Sequence, residues 1–301
     1  MAPGRLTSFA PLLGGYDLFI FDMDGVLWHG KKAVAGAAEA LEVLRGARKQ
    51  IRFVTNNAAD HRSSYVEKLA GCGIKADVDE VFSSASSAAK VVKQELNRTH
   101  AFVLGMKGLK RELEDVGVRV SGGPDYVPPP TNEEAQLQEL DLSIDAVVAG
   151  VDHELSYKKI MYASFLLQEK GEGISFVATN RDAHGPTSNG RFAPGGGVTV
   201  ISVETASGRA PDVVAGKPSQ MILELILKET GVPPARALMV GDRLDTDIAF
   251  GNGGGTDTLL VLSGCTSEAG LAAAVAASDS GQGAARFVPT FVADSVRVLG
   301  H

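Results

Sequence analysis

The sequence predicts an α/β protein: a parallel sheet covered by helices, with a second, large α/β domain inserted into it. Three observations predict this. Short runs of consecutive apolar residues recur between stretches of helical spacing, and strands that are apolar on both faces belong in a buried parallel sheet. This rhythm opens the chain, changes character in the middle and returns near the end. The chain has 301 residues, enough for two domains of roughly 150 residues each.

Taken in order, Leu18-Phe19-Ile20-Phe21 is the first strand. Residues 37–48 place Leu41, Leu44 and several alanines at helical spacing. Ile51-Arg52-Phe53-Val54 is the second strand, 62–70 a helix stopped at Gly71, and Val81-Phe82 a brief strand. The middle has strands of its own (Phe102-Val103-Leu104, Ala146-Val147-Val148, Ser175-Phe176-Val177) and helices over 107–115 and 157–169. Pro128-Pro129-Pro130 fits neither a helix interior nor a central strand and reads as a rigid connector. The first rhythm resumes with Val213-Val214-Ala215, a helix over 219–230, Ala237-Leu238-Met239-Val240, a helix after Asp245, and Thr258 to Leu262. The expected division is therefore 1–97 with 210–301 as one domain and 98–209 as the insert. Gly195-Gly196-Gly197 and Gly253-Gly254-Gly255 read as turns.

Composition limits the function. Hydrophobic residues make up 44% and charged residues 22%, which excludes wholesale disorder. A net charge of −7 repels a phosphate backbone over most of the surface, so nucleic acid is not an expected partner. No run approaches the roughly 18 apolar residues of a membrane span, and Arg5 ahead of a short apolar patch broken by Pro11 makes a poor signal peptide. Two cysteines, Cys72 and Cys265, make no disulfide framework; they suit a reducing compartment and buried positions. A cytoplasmic protein without nucleic-acid or membrane partners is the expectation.

Four motifs follow apolar strands, where open α/β sheets gather their ligands. In Phe21-Asp22-Met23-Asp24-Gly25-Val26-Leu27-Trp28 two carboxylates leave one strand end together, and Gly25 permits a sharp turn. A calcium loop needs further oxygen ligands where Val26 and Ala33 stand, so that alternative fails. Val54-Thr55-Asn56-Asn57 brings a hydroxyl and amide donors suited to an oxyanion, or a helix cap by Asn57 or Asp60. Gly216-Lys217-Pro218-Ser219 offers a cation, with Pro218 in the first turn of a helix, or else a plain surface lysine. In Val240-Gly241-Asp242-Arg243-Leu244-Asp245-Thr246-Asp247, Asp242 is placed to complete a magnesium site; Asp247 orders metal-bound water or holds Lys217. A solvated turn with capping aspartates is the plain alternative. Together the four form a chemically complete set at the strand ends of one expected sheet.

This constellation, in this order, resembles the haloacid dehalogenase superfamily, and within it the 4-nitrophenylphosphatase, phosphoglycolate phosphatase and pyridoxal phosphatase group. The resemblance extends to Ala178-Thr179-Asn180-Arg181-Asp182 and Glu204-Thr205-Ala206-Ser207-Gly208-Arg209. It implies a Rossmann-like core with a large α/β cap, and magnesium-dependent hydrolysis of small phosphomonoesters through an aspartyl-phosphate. By that resemblance Asp22 is the nucleophile and Asp24 the general acid and base. Thr55, Asn56, Asn57 and Lys217 hold the phosphate. Lys217 also balances charge at Asp22. Mg2+ is bound by Asp22, the backbone carbonyl of Asp24, and Asp242, with Asp247 behind them. Arg181 and His184 belong to a cap loop that selects the substrate, a small phosphorylated metabolite. A homodimer through the cap is implied as well.

Phosphoglycolate or 4-nitrophenyl phosphate leads the expected substrates, with pyridoxal 5′-phosphate as the alternative. A non-catalytic regulatory protein on the same fold is the reading from a different class, since fold alone proves no activity. A phosphotransferase ranks third, because the interval 29–51 holds barely one helix. The sole tryptophan, Trp28, packs beside the site or serves the core alone.

Overall fold

Leu18 to Asp22 are all buried, and a strand without a polar face needs cover on both sides. The computed structural model describes residues 3–8, 10–30, 32–126, 140–186, 191–280 and 284–297. In it, Leu18–Asp22 lies between Gln50–Thr55 and Ala237–Gly241, parallel to both. The full sheet runs Gly4–Arg5, Phe291–Ala293, Asp257–Val261, Ala237–Gly241, Leu18–Asp22, Gln50–Thr55, Val81–Ser83. The chain builds outward from Leu18–Asp22 in one direction, then returns and builds in the other. The reversal between Leu18–Asp22 and Ala237–Gly241 is a topological switch point, where a crevice opens beyond the carboxyl ends of the strands. One face of the sheet packs Leu18, Ile20, Val54 and Met239 against Ile222, Leu223 and Ile226 of helix Met221–Thr230.

By its contacts the chain forms two compact units, 1–55 with 66–82 and 217–301, and 56–65 with 83–216. The second takes in more chain than the expected insert of 98–209. It starts earlier because helix Ser84–Lys90 puts Ala85, Ala88 and Ala89 into the second unit's core. It ends later because Val213–Val214 pairs with Ser175–Ala178.

The second unit has a parallel five-stranded sheet: Val213–Val214, Ser175–Ala178, Ala146–Ala149, His100–Leu104, Arg119–Gly122. Its strands bury alternate side chains on opposite faces. Ala101, Val103, Val148 and Val177 join one apolar cluster with Leu109 and Leu113 of helix Lys107–Asp115. Phe102, Leu104, Val147 and Phe176 join another with Leu166 and Leu167 of helix Tyr157–Lys170 and Val200 and Val203 of helix Gly196–Ser207.

Several expectations are corrected. Val213-Val214-Ala215 does not lie on the first sheet, so the four motifs do not stand on strand ends of one sheet; a two-residue apolar strand carries no sign of which sheet it joins. Pro218 sits in a turn, and the helix opens at Met221. Gly196 and Gly197 start a helix. Cys265 is exposed. Pro128-Pro129-Pro130 lies outside the described residues. Among the described residues no helix is long and apolar enough to cross a membrane.

Candidate active site

Asp22 is the last residue of its strand, and the chain turns sharply after it. Leu27 donates its backbone N–H to the Met23 carbonyl at 2.8 Å, and Gly25 donates to the Trp28 carbonyl at 2.8 Å. Gly25 has a φ of +86°, and a Cβ there would run into the carboxylate of Asp242. Only glycine meets both demands. The turn folds the fully buried Trp28 back beside Asp24, and its indole Nε1–H donates to Asp24 Oδ1 at 2.8 Å. The Lys68 ammonium lies 4.1 Å from the centroid of the Trp28 ring and 3.8 Å from Asp24 Oδ1. Trp28 thus combines core burial with a hydrogen bond to Asp24.

Asp22, Asp242 and Asp247 are buried together, each offering an oxygen within 4.8 Å of the others. Lys217 Nζ donates to Asp22 Oδ1 at 2.5 Å and to Asp247 Oδ1 at 2.7 Å. Asp247 Oδ2 accepts the backbone N–H groups of Asp242 at 3.1 Å and Arg243 at 3.0 Å. Asp247 therefore ties the lysine to the loop that carries Asp242. Asp242 Oδ2 accepts the Cys265 backbone N–H at 2.6 Å. Arg243 turns away to pair with the exposed Asp245 at 2.7 Å, so the charge crowd read from sequence splits into an inner pair and an outer pair.

Electrostatics follow from burial. Burial pushes the Asp22 carboxyl well above the usual range; Lys217 opposes this, while Asp247 and Asp242 add to it. Burial alone would lower the Lys217 pKa, but Asp22 and Asp247 outweigh it and hold the ammonium charged. Burial and then Asp247 push Asp242 up to about 6, against the hydrogen bonding from Cys265. Burial and the Asp242 charge push the Cys265 thiol up to about 12, so the exposed cysteine is no thiolate nucleophile.

The second motif divides at the boundary between the units. Thr55 ends strand Gln50–Thr55 in the first unit and is buried; Asp22 is in register with Val54. Asn56 and Asn57 belong to the second unit. The Asn56 carbonyl accepts Ser84 Oγ at 2.6 Å and Asn180 Nδ2 at 2.7 Å. The Asn56 amide donates to Asp182 Oδ2 at 3.1 Å, and Asn180 Oδ1 accepts the Asp182 backbone N–H at 3.0 Å. Asn57 Oδ1 accepts the Ala59 N–H at 2.9 Å, a turn-forming role typical of asparagine. Asn180 and Asp182 stand in the motif the resemblance covers but carry no role of their own in the sequence reading; the signal is Asn-x-Asp beginning two residues past strand Ser175–Ala178. Arg181 and His184 also lie in the second unit. Arg181 pairs with Glu204 at 2.9 Å, and the His184 ring lies 4.5 Å from that of Phe192 across a short hairpin.

Two family models match this chain: haloacid dehalogenase-like hydrolase over residues 19–119 and HAD-hydrolase-like over 214–299. It is 38% identical over 279 residues to phosphoglycolate phosphatase 2 of Arabidopsis thaliana, covering 90% of this chain and 91% of that one. The chain belongs to the haloacid dehalogenase-like hydrolases. Among solved structures, 4-nitrophenylphosphatase from Thermotoga maritima matches with a TM-score of 0.78 and 30% identity, covering 96% of this chain and 98% of that one. Glycerol phosphate phosphatase from Mycobacterium tuberculosis in complex with magnesium matches with a TM-score of 0.76 and 28% identity, covering 95% and 77%.

The acidic cluster fits the divalent cation that the haloacid dehalogenase-like family implies. All three side chains offer hard oxygen donors, with no sulfur or imidazole among them, the set preferred by magnesium or calcium. Lys217 holds Oδ1 of Asp22, and the Cys265 backbone N–H holds Oδ2 of Asp242. One buried ammonium among three buried carboxylates leaves an excess of two negative charges, which a divalent ion would offset. The Asp247 oxygens are already engaged with Lys217 and two backbone N–H groups, which leaves Asp22 and Asp242 as the open side-chain donors.

Proposed function

We propose that this haloacid dehalogenase-like chain hydrolyses small phosphomonoesters through a phosphorylated Asp22. The observation that carries the reading is Asp22 at a switch-point strand end, hydrogen-bonded to Lys217 and clustered with Asp242 and Asp247. A carboxylate nucleophile divides hydrolysis into two easier displacements. It also meets an anionic substrate, so the repulsion must be screened. Lys217 screens Asp22, and Asp247 holds Lys217 in place. A magnesium ion bound by Asp22, Asp242 and the Asp24 carbonyl would supply further positive charge against the phosphoryl oxygens.

In this reading Asp24 gives a proton to the leaving oxygen and then takes one from the attacking water, help worth roughly 100- to 10,000-fold. Thr55, Asn56 and Asn57 supply donors for the phosphate oxygens. The second unit acts as the cap, with Arg181 and His184 in its specificity loop. The related phosphoglycolate, 4-nitrophenyl phosphate and glycerol phosphate enzymes support a small phosphorylated substrate. Phosphoglycolate and 4-nitrophenyl phosphate lead, with pyridoxal 5′-phosphate as the alternative. Cytoplasmic placement and a homodimer through the second unit complete the proposal; the exposed Val198 and Ile201 of helix Gly196–Ser207 are the candidate surface for the latter.

The test is phosphate release from a panel of these esters, with and without Mg2+, in the native protein and in Asp22→Asn. Metal-dependent release that Asp22→Asn abolishes is expected. Equal rates in the two proteins would overturn the assignment, and no release from any ester would favour a non-catalytic regulatory role.

A further inference from the structure

We propose that Trp28 is a positioning residue that gives the two carboxylate oxygens of Asp24 different tasks. Oδ1 is held by the indole, and Oδ2 exchanges the proton with the leaving group and then with water. The inference rests on the acid and base role proposed for Asp24.

An indole N–H is a donor with no acceptor capacity. Asp24 Oδ1 accepts this N–H at 2.8 Å; a carboxylic proton on Oδ1 would face another hydrogen there. The indole thus favours Oδ1 as the acceptor oxygen and leaves Oδ2 for proton exchange. Trp28 is well placed to impose this. Its side chain is fully buried. Its main chain is bound on both sides, donating to the Met23 carbonyl at 3.3 Å and accepting the Gly25 N–H at 2.8 Å. The ring cannot follow Asp24 if the carboxylate rotates.

Lys68 reinforces the arrangement from outside. Its ammonium lies over the ring face, 4.1 Å from the centroid, and 3.8 Å from the same Oδ1. Trp28 and Lys68 therefore act on one oxygen and leave the other. The Asp24 side chain keeps 45% of its exposure, so the unheld oxygen is not walled off by the core.

The chemistry balances on that oxygen. In the first displacement the bond from Asp22 to phosphorus forms, the bond to the leaving oxygen breaks, and the Oδ2 proton passes to that oxygen. In the second, Oδ2 takes a proton from water as the water oxygen bonds to phosphorus and the Asp22–phosphorus bond breaks.

Leaving-group dependence tests the proposal. An alkoxide such as that of glycerol 3-phosphate needs the proton as it departs; 4-nitrophenolate is stable without it. Trp28→Phe removes the N–H and keeps an aromatic ring under Lys68. The comparison uses kcat/KM, which reports the first phosphoryl transfer even where the second step limits kcat. The expected result is a fall at least about tenfold larger for glycerol 3-phosphate than for 4-nitrophenyl phosphate, an excess of about 1.4 kcal/mol in the barrier. Equal losses on both esters, or no loss, would overturn the inference while leaving the phosphatase reading intact. No hydrolysis of either ester by the native protein overturns both. Should Trp28→Phe fail to fold, Lys68→Met carries the test: a smaller loss biased toward the alkyl ester is expected, and an unbiased loss contradicts the proposal.

Discussion

Lys217 donates to Asp22 at 2.5 Å and to Asp247 at 2.7 Å, so one buried ammonium serves two buried carboxylates, one ending strand Leu18–Asp22 and the other in the helical turn Leu244–Ile248. Removing one partner of a buried ion pair costs about 3–5 kcal/mol, because the remaining charge is left uncompensated. Lys217→Ala should therefore lower stability by an amount of that order in metal-free protein, measured by urea unfolding. Without the ammonium the cluster carries one more uncompensated negative charge. The rise in Tm on adding Mg2+ should then be larger than in the native protein.

Asp242 should behave in the opposite way. Burial and then the Asp247 charge raise its folded pKa from the ordinary 3.8 to about 6. Such a group favours folding below its unfolded pKa and loses that contribution as pH rises through the folded value. At neutral pH the metal-free protein bears this cost, on the order of 2–3 kcal/mol at about 1.4 kcal/mol per pKa unit. Asp242→Asn should raise metal-free stability at neutral pH, match the native protein below about pH 4, and lose most of the Mg2+ response. Thermal melts at several pH values, with and without Mg2+, check all three.

Asn180 should matter although it is buried in the second unit and carries no charge. It donates to the Asn56 carbonyl and accepts from the Asp182 backbone, and Asp182 in turn accepts the Asn56 amide. An unpaired buried polar group costs about 1–3 kcal/mol. Asn180→Ala should loosen Asn56 and raise KM by about tenfold, with a smaller change in kcat. Inorganic phosphate should inhibit this variant more weakly, and steady-state kinetics measure both.

His100 supplies an acid-sensitive point. Its ring nitrogens lie 2.9 Å from Ser143 Oγ and Ser121 Oγ. Burial, and then the charge of Arg119, hold its pKa below 6.5. A base with a depressed folded pKa contributes stability above its unfolded pKa and loses it as pH falls through the folded one. The Tm should drop between about pH 7 and about pH 5, and drop less in His100→Asn.

The parallel α/β fold was legible in the sequence, and so was the convergence of Asp22, Lys217, Asp242 and Asp247. Asp22, Asp242 and Asp247 follow long apolar strands, and such strands announce a buried sheet; Lys217 joins them with both carboxylate partners in reach. The strand before Lys217 misled, because Val213–Val214 is too short to declare its sheet. Helix Ser84–Lys90 escaped notice because Ser84 to Ala89 are all buried, leaving no polar face to give a helical period. The roles of Asn180 and Asp182 are not legible, since hydrogen bonding to the carbonyl and the amide of the distant Asn56 leaves no pattern in a sequence. The role of Trp28 was half visible: its nearness to Asp24 follows from the spacing, the donated N–H does not.

If Asp22 takes the phosphoryl group, mass spectrometry of protein quenched in acid during turnover will detect it. The peptide containing Asp22 should gain the mass of one phosphoryl group, and that of Asp22→Asn should gain none. Turnover at the native rate with no adduct on that peptide, or with the adduct on another residue, would contradict this role for Asp22.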